Sequence, residues 1–259
     1  MKRSFVILLA AIAAACGGVS EETANNAEPA KPVVSVESVD QKPEGEQPRA
    51  KLIVGEKIER EQVADFEESR LPEGWELIDN DIKKQPSPFS VGDGKLSLII
   101  RSGKDMYADN FGAPHLVKAV SGDFQIETRV IFSPKQDYQG AGLLVFSDKG
   151  NYLRLERGFG GTGGGGSGIR LDVRKADEYV ALTTPEQAPT DAGEVDLKMV
   201  RIGQTFIAYW RLNDESEWKE IGEYKSDYPD SVKVGLIGVN TGDEITARFD
   251  HIKLQPAPK

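Results

Sequence analysis

Residues 138–156 read YQGAGLLVFSDKGNYLRLE, and the fold is decided by how they alternate. Gly142–Phe146 is an apolar run, Asp148-Lys149-Gly150-Asn151 is a turn signal, and Leu153 and Leu155 then alternate with Tyr152, Arg154 and Glu156. A period of two marks a strand, because successive side chains point to opposite faces. Two such runs joined by Asp, Gly and Asn make a hairpin. The same period continues on both sides. Leu96, Leu98 and Ile100 precede it, as do Phe124, Ile126, Val130 and Phe132 set against Gln125, Glu127 and Arg129. After a glycine loop, Ile169, Leu171 and Val173 alternate with Arg170, Asp172 and Arg174. Further strands are expected over 195–202, 205–212, 218–224, 232–239 and 247–254, with turn signals at Asp93-Gly94, Ser121-Gly122-Asp123, Gly203 and Asn213-Asp214. One apolar and one polar face per strand predicts antiparallel sheets packed on one side and wet on the other. No long amphipathic helix is visible, so the expected class is all-β, a two-sheet antiparallel β-sandwich. The alternation breaks at Asp250 and His251, where Phe249 and Ile252 both belong inside, and a bulge is expected there.

The flanks divide the chain into three parts. Residues 1–15, MKRSFVILLAAIAAA, have two cations, an apolar run and small residues, the pattern of a secretory signal peptide. The run is shorter than the ~20 residues a membrane-spanning helix needs. Cys16, the single cysteine, follows at once, and Ala13-Ala14-Ala15-Cys16-Gly17 resembles the bacterial lipobox, although Ala13 stands where that pattern prefers Leu. The resemblance implies a lipidated Cys16 and a bacterial envelope protein. Gly17 and Gly18, where inner-membrane retention would use Asp, point to the outer membrane. Residues 16–61 carry prolines 29, 32, 43 and 48, and no aromatic occurs between Phe5 and Phe66. Such a segment buries little area per residue and reads as a disordered tether. Residues 62–256 form the expected domain.

Composition removes several function classes. The 259 residues hold 32 Lys+Arg against 42 Asp+Glu, for a net charge of −10, so the counterion-releasing basic surface of a nucleic-acid binder is missing. One Cys and two His cannot make a disulfide or the usual zinc site. Neither His115 nor His251 lies in a recognisable Ser or Cys nucleophile motif. Gly158–Gly163 matches GxGxxG, but a β-patterned IRLDVRK follows, where a dinucleotide site needs a helix N-terminus.

The strings PFSVGDGKLSL at 88–98, SGDFQIETRV at 121–130, the hairpin quoted above, VGLIGV at 234–239 and FDHIKL at 249–254 resemble the concanavalin A-like jelly-roll family. Within it they look like the uncharacterised subgroup related to the C-terminal module of family 43 β-xylosidases. The resemblance implies a curved double sheet whose concave face binds glycans or helps close a glycosidase active site. It also implies a structural calcium ion between the first and last strands, where Glu67, Glu68 and Asp250 would offer oxygens. No other cofactor is expected. Glu194-Val195-Asp196 begins the ExDxxE of family 16 glucanases, but Met199 replaces the second glutamate, and glycoside hydrolysis needs two carboxylates.

The candidate ligand residues are therefore the polar alternates Glu127 and Arg129, Tyr152, Arg154 and Glu156, and Asp172, read as one tiled surface if consecutive strands pair. Charged groups and an aromatic suit sugar hydroxyls and ring faces. Tyr107 and Phe111, in the loop where the resemblance implies an aromatic over the concave face, flank this surface. Trp75, Trp210 and Trp218 read as core. The expected role is a non-catalytic carbohydrate-binding module on a lipoprotein, held to the membrane only by its lipid. A glycoside hydrolase or lyase of the same fold and a protein-interaction scaffold are the alternatives.

Overall fold

A computed structural model describes residues 53–80, 85–161 and 165–258. The expected signal peptide, Cys16 and the tether up to residue 52 lie outside the described residues, as does Thr162–Gly164 of the glycine loop. Every described element is a strand, numbered here in chain order. The first sheet runs β1 (Glu56–Lys57), β8 (His115–Ser121), β17 (Ser231–Val239), β10 (Gln139–Asp148), β11 (Asn151–Phe159), β12 (Ser167–Lys175) and β13 (Glu178–Thr183), with β3 (Glu76–Ile78) also on β8. The second runs β16 (Lys219–Lys225), β15 (Thr205–Arg211), β14 (Glu194–Ile202), β9 (Phe124–Ile131), β18 (Ile245–Gln255), β5 (Lys95–Ile100) and β4 (Phe89–Gly92), with β2 (Gln62–Ala64) on β18. A short hairpin, β6 (Met106–Tyr107) and β7 (Asn110–Phe111), stands apart. All pairings are antiparallel except β1 with β8. This is the two-sheet antiparallel sandwich that the alternation predicts, with the jelly-roll architecture that the resemblance implies.

The core lies between the sheets. Leu143, Leu153, Leu155 and Leu171 of the first sheet pack with Leu98, Phe124, Val130, Leu197 and Phe249 of the second, all buried. Each such side chain contributes about 1.5–3 kcal/mol by leaving water. Turn chemistry fixes the register of the hairpins. Asp93 and Gly94 both have positive φ, 54° and 68°, as a two-residue turn matched to strand twist requires. Asp148 Oδ1 accepts from Gly150 N at 2.8 Å and Asn151 Nδ2 at 2.9 Å, closing the β10–β11 turn. The bulge expected at Asp250 and His251 is present as a register shift between Phe249 and Ile252, both buried.

Three features depart from the sequence reading. Glu56–Lys57 already pairs with Val120 and Ser121, and Ile58 is buried, so the sheet starts inside the expected tether. Trp218 is half-buried on the outer face of the second sheet, between Lys198 at 4.1 Å and Arg211 at 4.4 Å, whereas Trp210 is in the core. The first sheet is packed on both faces. Val117, Leu144, Tyr152, Ile237 and Val239, on the face turned away from the second sheet, form a second apolar cluster with Met106 and Ala113 from the β6–β7 hairpin segment. The wet polar face expected of β11 and β12 is therefore covered.

Candidate functional site

β11 and β12 pair so that Arg154 faces Asp172, Glu156 faces Arg170 and Tyr152 faces Arg174. These are the polar alternates of the sequence pattern, and opposite charges meet across the strands. Arg170 Nη2 lies 2.6 Å from Glu156 Oε2, its Nε lies 3.3 Å from Asp172, and Arg154 Nη2 lies 3.5 Å from the same Asp172 oxygen. Arg154, Glu156 and Asp172 are 4%, 0% and 2% exposed. Two glycines make the space. A Cβ at Gly140 would come within 2.7 Å of both Arg170 Nη2 and Glu156 Oε2, and one at Gly158 within 3.3 Å of Arg170 Nε.

The two buried carboxylates are shifted in opposite directions. For Glu156 the desolvation penalty is outweighed by Arg154 and Arg170, and its carboxyl is held below the usual range. For Asp172 burial prevails over the same two arginines, and its carboxyl is pushed up. Burial likewise raises the Tyr179 hydroxyl, which accepts from Arg154 Nη2 at 3.3 Å. Several polar atoms in this layer have no hydrogen-bond partner: Arg154 Nε and Nη1, and Glu156 Oε1. Buried polar groups are nearly always partnered, and each exception asks for an explanation.

Above them is a cleft of about 260 Å³ lined by Asp105, Tyr107, Tyr138, Arg154, Arg170, Tyr179 and Thr241. Tyr107 and Tyr179 meet edge to face, 5.9 Å apart at 80°. The Arg154 guanidinium lies 5.8 Å from the Tyr179 ring and that of Arg174 5.6 Å from the Tyr107 ring. Tyr107 and Tyr138 are 51% and 46% exposed. Tyr138 has φ of 63°, a left-handed conformation that a bulky side chain adopts only under constraint and that concentrates at functional sites. Two larger hollows, of about 400 and 880 Å³, lie elsewhere. In the first, the buried Gln139 amide is already satisfied by Lys135 N, Gln136 N, Asn240 and Asp243. The second has no aromatic lining, and its Lys118 is paired with Glu56.

The structure brings together some of the sequence-predicted residues and separates others. Tyr107 is on the rim and Arg154 on the floor, with Glu156 and Asp172 directly beneath. Tyr152 is buried, its ring stacked on Phe146 and its hydroxyl donating to the Met106 carbonyl, a packing position. Phe111 joins the same apolar cluster under Lys149 and does not line the cleft. Glu127 and Arg129 lie on β9, in the other sheet. There Arg129 is held by Asp196 at 2.8 Å and Asp214 at 3.0 Å, and Glu127 accepts from Gln125 and Gln255. The tiled surface required β9 to pair with β10, but the segment through Phe132 and Pro134 carries the chain from one sheet to the other. Asp196, which begins the broken ExDxxE string, is likewise taken up by Arg129 and Arg211, and Met199 is core. Glu68 bonds Arg70 at 2.6 Å, and Asp250 lies 3.9 Å from His251. Among the described residues no three His, Cys, Asp or Glu side chains, Glu67 included, are grouped to hold a metal ion. Sequence reasoning missed Tyr138 and Tyr179. Tyr179 was findable, because it faces Arg174 across the β12–β13 hairpin; Tyr138 carries no periodic signal.

Fold and cleft together define a jelly-roll β-sandwich module with a polar cleft on the outer face of its first sheet. Residues 84–257 match the family described as Protein of unknown function (DUF1349), and the chain belongs to that family. No curated protein matches the chain. Among solved structures it is similar to the GH43 BlXynB protein from Bacillus licheniformis, at 18% identity and a TM-score of 0.61 over 75% of this chain and 39% of that one. It is similar also to xylan beta-1,4-xylosidase from Bacillus halodurans C-125, at 19% identity and a TM-score of 0.60 over 74% and 38% of the two chains. A third is the CBM2 module of Lactobacillus casei BL23 phage J-1 evolved Dit, at 13% identity and a TM-score of 0.51 over 80% and 99%. The chain thus spans about two-fifths of the length of the two Bacillus structures, and at these identities the likeness is one of fold.

Proposed function

We propose that this domain binds carbohydrate without catalysis, in the cleft between Tyr107, Tyr138 and Tyr179. The observation that carries this reading is the pairing of an aromatic rim, Tyr107, Tyr138 and Tyr179, with a charged floor in which Arg154 and Arg170 line the cleft. Tyrosine faces offer stacking area at low conformational cost, and charged hydrogen-bonding groups fix hydroxyls with direction. That relatives in fold are a xylan β-1,4-xylosidase and a CBM2 module supports a sugar over a peptide or nucleotide. The net charge of −10 argues against polyanions. A non-catalytic role is supported by the cleft wall, where Asp105 is the one carboxylate; hydrolysis needs two that reach the scissile bond. We further propose that the domain is carried on the bacterial envelope, in the outer membrane, by lipid on Cys16, with residues up to about 52 as its tether.

Affinity electrophoresis and calorimetry of the purified protein against a polysaccharide panel that includes xylan test the binding reading. Retardation by at least one glycan, with Tyr107→Ala and Tyr179→Ala each weakening it about tenfold, a loss of ~1.4 kcal/mol, is the expected result. No retardation by any glycan, or product release from one, defeats it.

A further inference from the structure

The walls of the cleft decide how much of a sugar chain can enter it, an inference that rests on the carbohydrate reading above. The cleft measures about 260 Å³, below the roughly 300–1,000 Å³ of pockets that enclose drug-sized ligands. That is room for one sugar ring and not for two in succession. Its floor is shut: Arg154 and Arg170 are 4% and 3% exposed, so a ligand meets them as a surface and does not pass between them. The accessible groups stand on the walls, where Tyr107 and Tyr138 keep about half their surface and Thr241 is exposed.

Three contacts make most of the rim continuous. Tyr107 and Tyr179 touch, with centroids 5.9 Å apart, inside the range of packed aromatic pairs, so no chain threads between them. Asn240 N donates to the Lys104 carbonyl at 2.7 Å, which ties the Thr241 loop to the segment bearing Asp105 and Tyr107. The Thr241 hydroxyl donates to the Asp137 carbonyl at 3.2 Å, which ties the same loop to the neighbour of Tyr138. The wall therefore runs from Tyr179 through Tyr107, Asp105 and Thr241 to Tyr138. Among the described residues, the stretch of rim without such a tie is the one between Tyr138 and Tyr179. The two touching rings also stand at 80° to each other. A flat platform for a polysaccharide needs rings lying in one plane under successive sugar units, whereas perpendicular rings make a corner.

We propose that the cleft takes a single sugar ring joined to the rest of its glycan on one side only, as a branch unit or a chain end is, and does not take an internal stretch of a linear chain. An internal unit must leave the cleft in two directions, and the wall leaves one. The ring seats in the corner made by Tyr107 and Tyr179, with Tyr138 at the other end of the wall. Branch units and chain ends share this chemistry and differ in number, many per polysaccharide for the first and one per linear chain for the second.

A ligand of so few atoms binds weakly, so the test is a titration of the purified protein followed by amide chemical shifts. Xylose, glucose, mannose and arabinose are each compared with the linear hexamer, xylohexaose, cellohexaose, mannohexaose or arabinohexaose. At least one monosaccharide is expected to shift the amides of Tyr107, Tyr138 or Tyr179, with its hexamer no more than about threefold tighter. A hexamer that gains more than this overturns the proposal, because further units are then being held. So does a monosaccharide whose shifts fall on the second sheet. A hexamer equal to its monosaccharide assigns the ring to a chain end. A silent hexamer, with affinity-gel retardation by arabinoxylan that is lost when its arabinose is removed enzymatically, assigns it to a branch. Retardation that survives removal of the branches overturns the proposal. Silence toward every monosaccharide, while a polysaccharide of the panel above still retards the protein, also overturns it and leaves carbohydrate binding standing. Silence toward all of them removes the carbohydrate reading itself.

Discussion

Tyr138 shows how a single backbone angle separates stability from function. At φ of 63° a residue with a Cβ pays roughly 1–2 kcal/mol of steric cost, and glycine would relieve it while losing about 0.5–1 kcal/mol to its greater unfolded freedom. Tyr138→Gly is therefore expected to keep or raise the thermal midpoint and yet to weaken glycan binding, because the exposed ring on the cleft rim is gone. Calorimetry on one sample reads both, and unchanged affinity would remove Tyr138 from the site. Glu156 makes the opposite case. It is fully buried and touches both Arg170 and Arg154, so Glu156→Gln leaves two buried guanidinium groups sharing Asp172. Removing one partner of a buried charge set costs about 3–5 kcal/mol, and urea unfolding should show a loss of that size. A loss under about 1 kcal/mol, the scale of a surface pair, would show that water reaches this layer.

At the scale of elements, the segment leading from the β6–β7 hairpin into β8 packs on the outer face of the first sheet through Met106 and Ala113. His115 opens β8 beneath it, buried, with Nδ1 2.8 Å from the Ala113 carbonyl and its ring 6.5 Å from Phe146. Burial holds its imidazole below the ordinary value near 6.5, and Lys233 adds to this while Asp79 and Glu76 oppose it. A folded-state value below the unfolded one means the unfolded chain binds the proton more readily. The contribution to stability is thus complete above about pH 6.5 and is lost as the pH falls through the folded value. His115→Gln should flatten the decline in thermal midpoint between pH 7 and pH 5, and superimposable curves for the two proteins would refute the assignment. The elements themselves were legible from period and turns, because β5, β9 and, outside its bulge, β18 bury alternate residues, while β11 and β12, buried on both faces, still alternate apolar with polar or charged residues in sequence. Which strands are neighbours was not. The step from β9 to β10 crosses between sheets, so Glu127 and Arg129 looked continuous with Arg154 although they sit on opposite layers. Nor does periodicity reveal that a polar face will be roofed: Met106 and Ala113 do this from a two-stranded hairpin too short to carry a pattern.

At the scale of the whole molecule, charge decides how the protein can be held at a membrane. With 42 acidic and 32 basic residues it is repelled by anionic headgroups, and attraction worth about 1 kcal/mol per juxtamembrane cation is not available from its aromatic-free N-terminal segment, which is rich in Glu. The membrane attachment proposed above therefore rests on acyl chains at Cys16, which contribute about 0.8 kcal/mol per buried CH₂ and hold stably when more than one is present. High salt screens charge and leaves this term intact. The full-length protein expressed in a Gram-negative host should therefore sediment with membranes, incorporate labelled palmitate and resist a 1 M salt wash. Cys16→Ser should abolish labelling and move the protein to the soluble fraction, with glycan affinity unchanged because the cleft lies wholly within residues 105–241. If Cys16→Ser still sediments, or the wild type is released by salt, lipid on Cys16 is not what holds the domain in place.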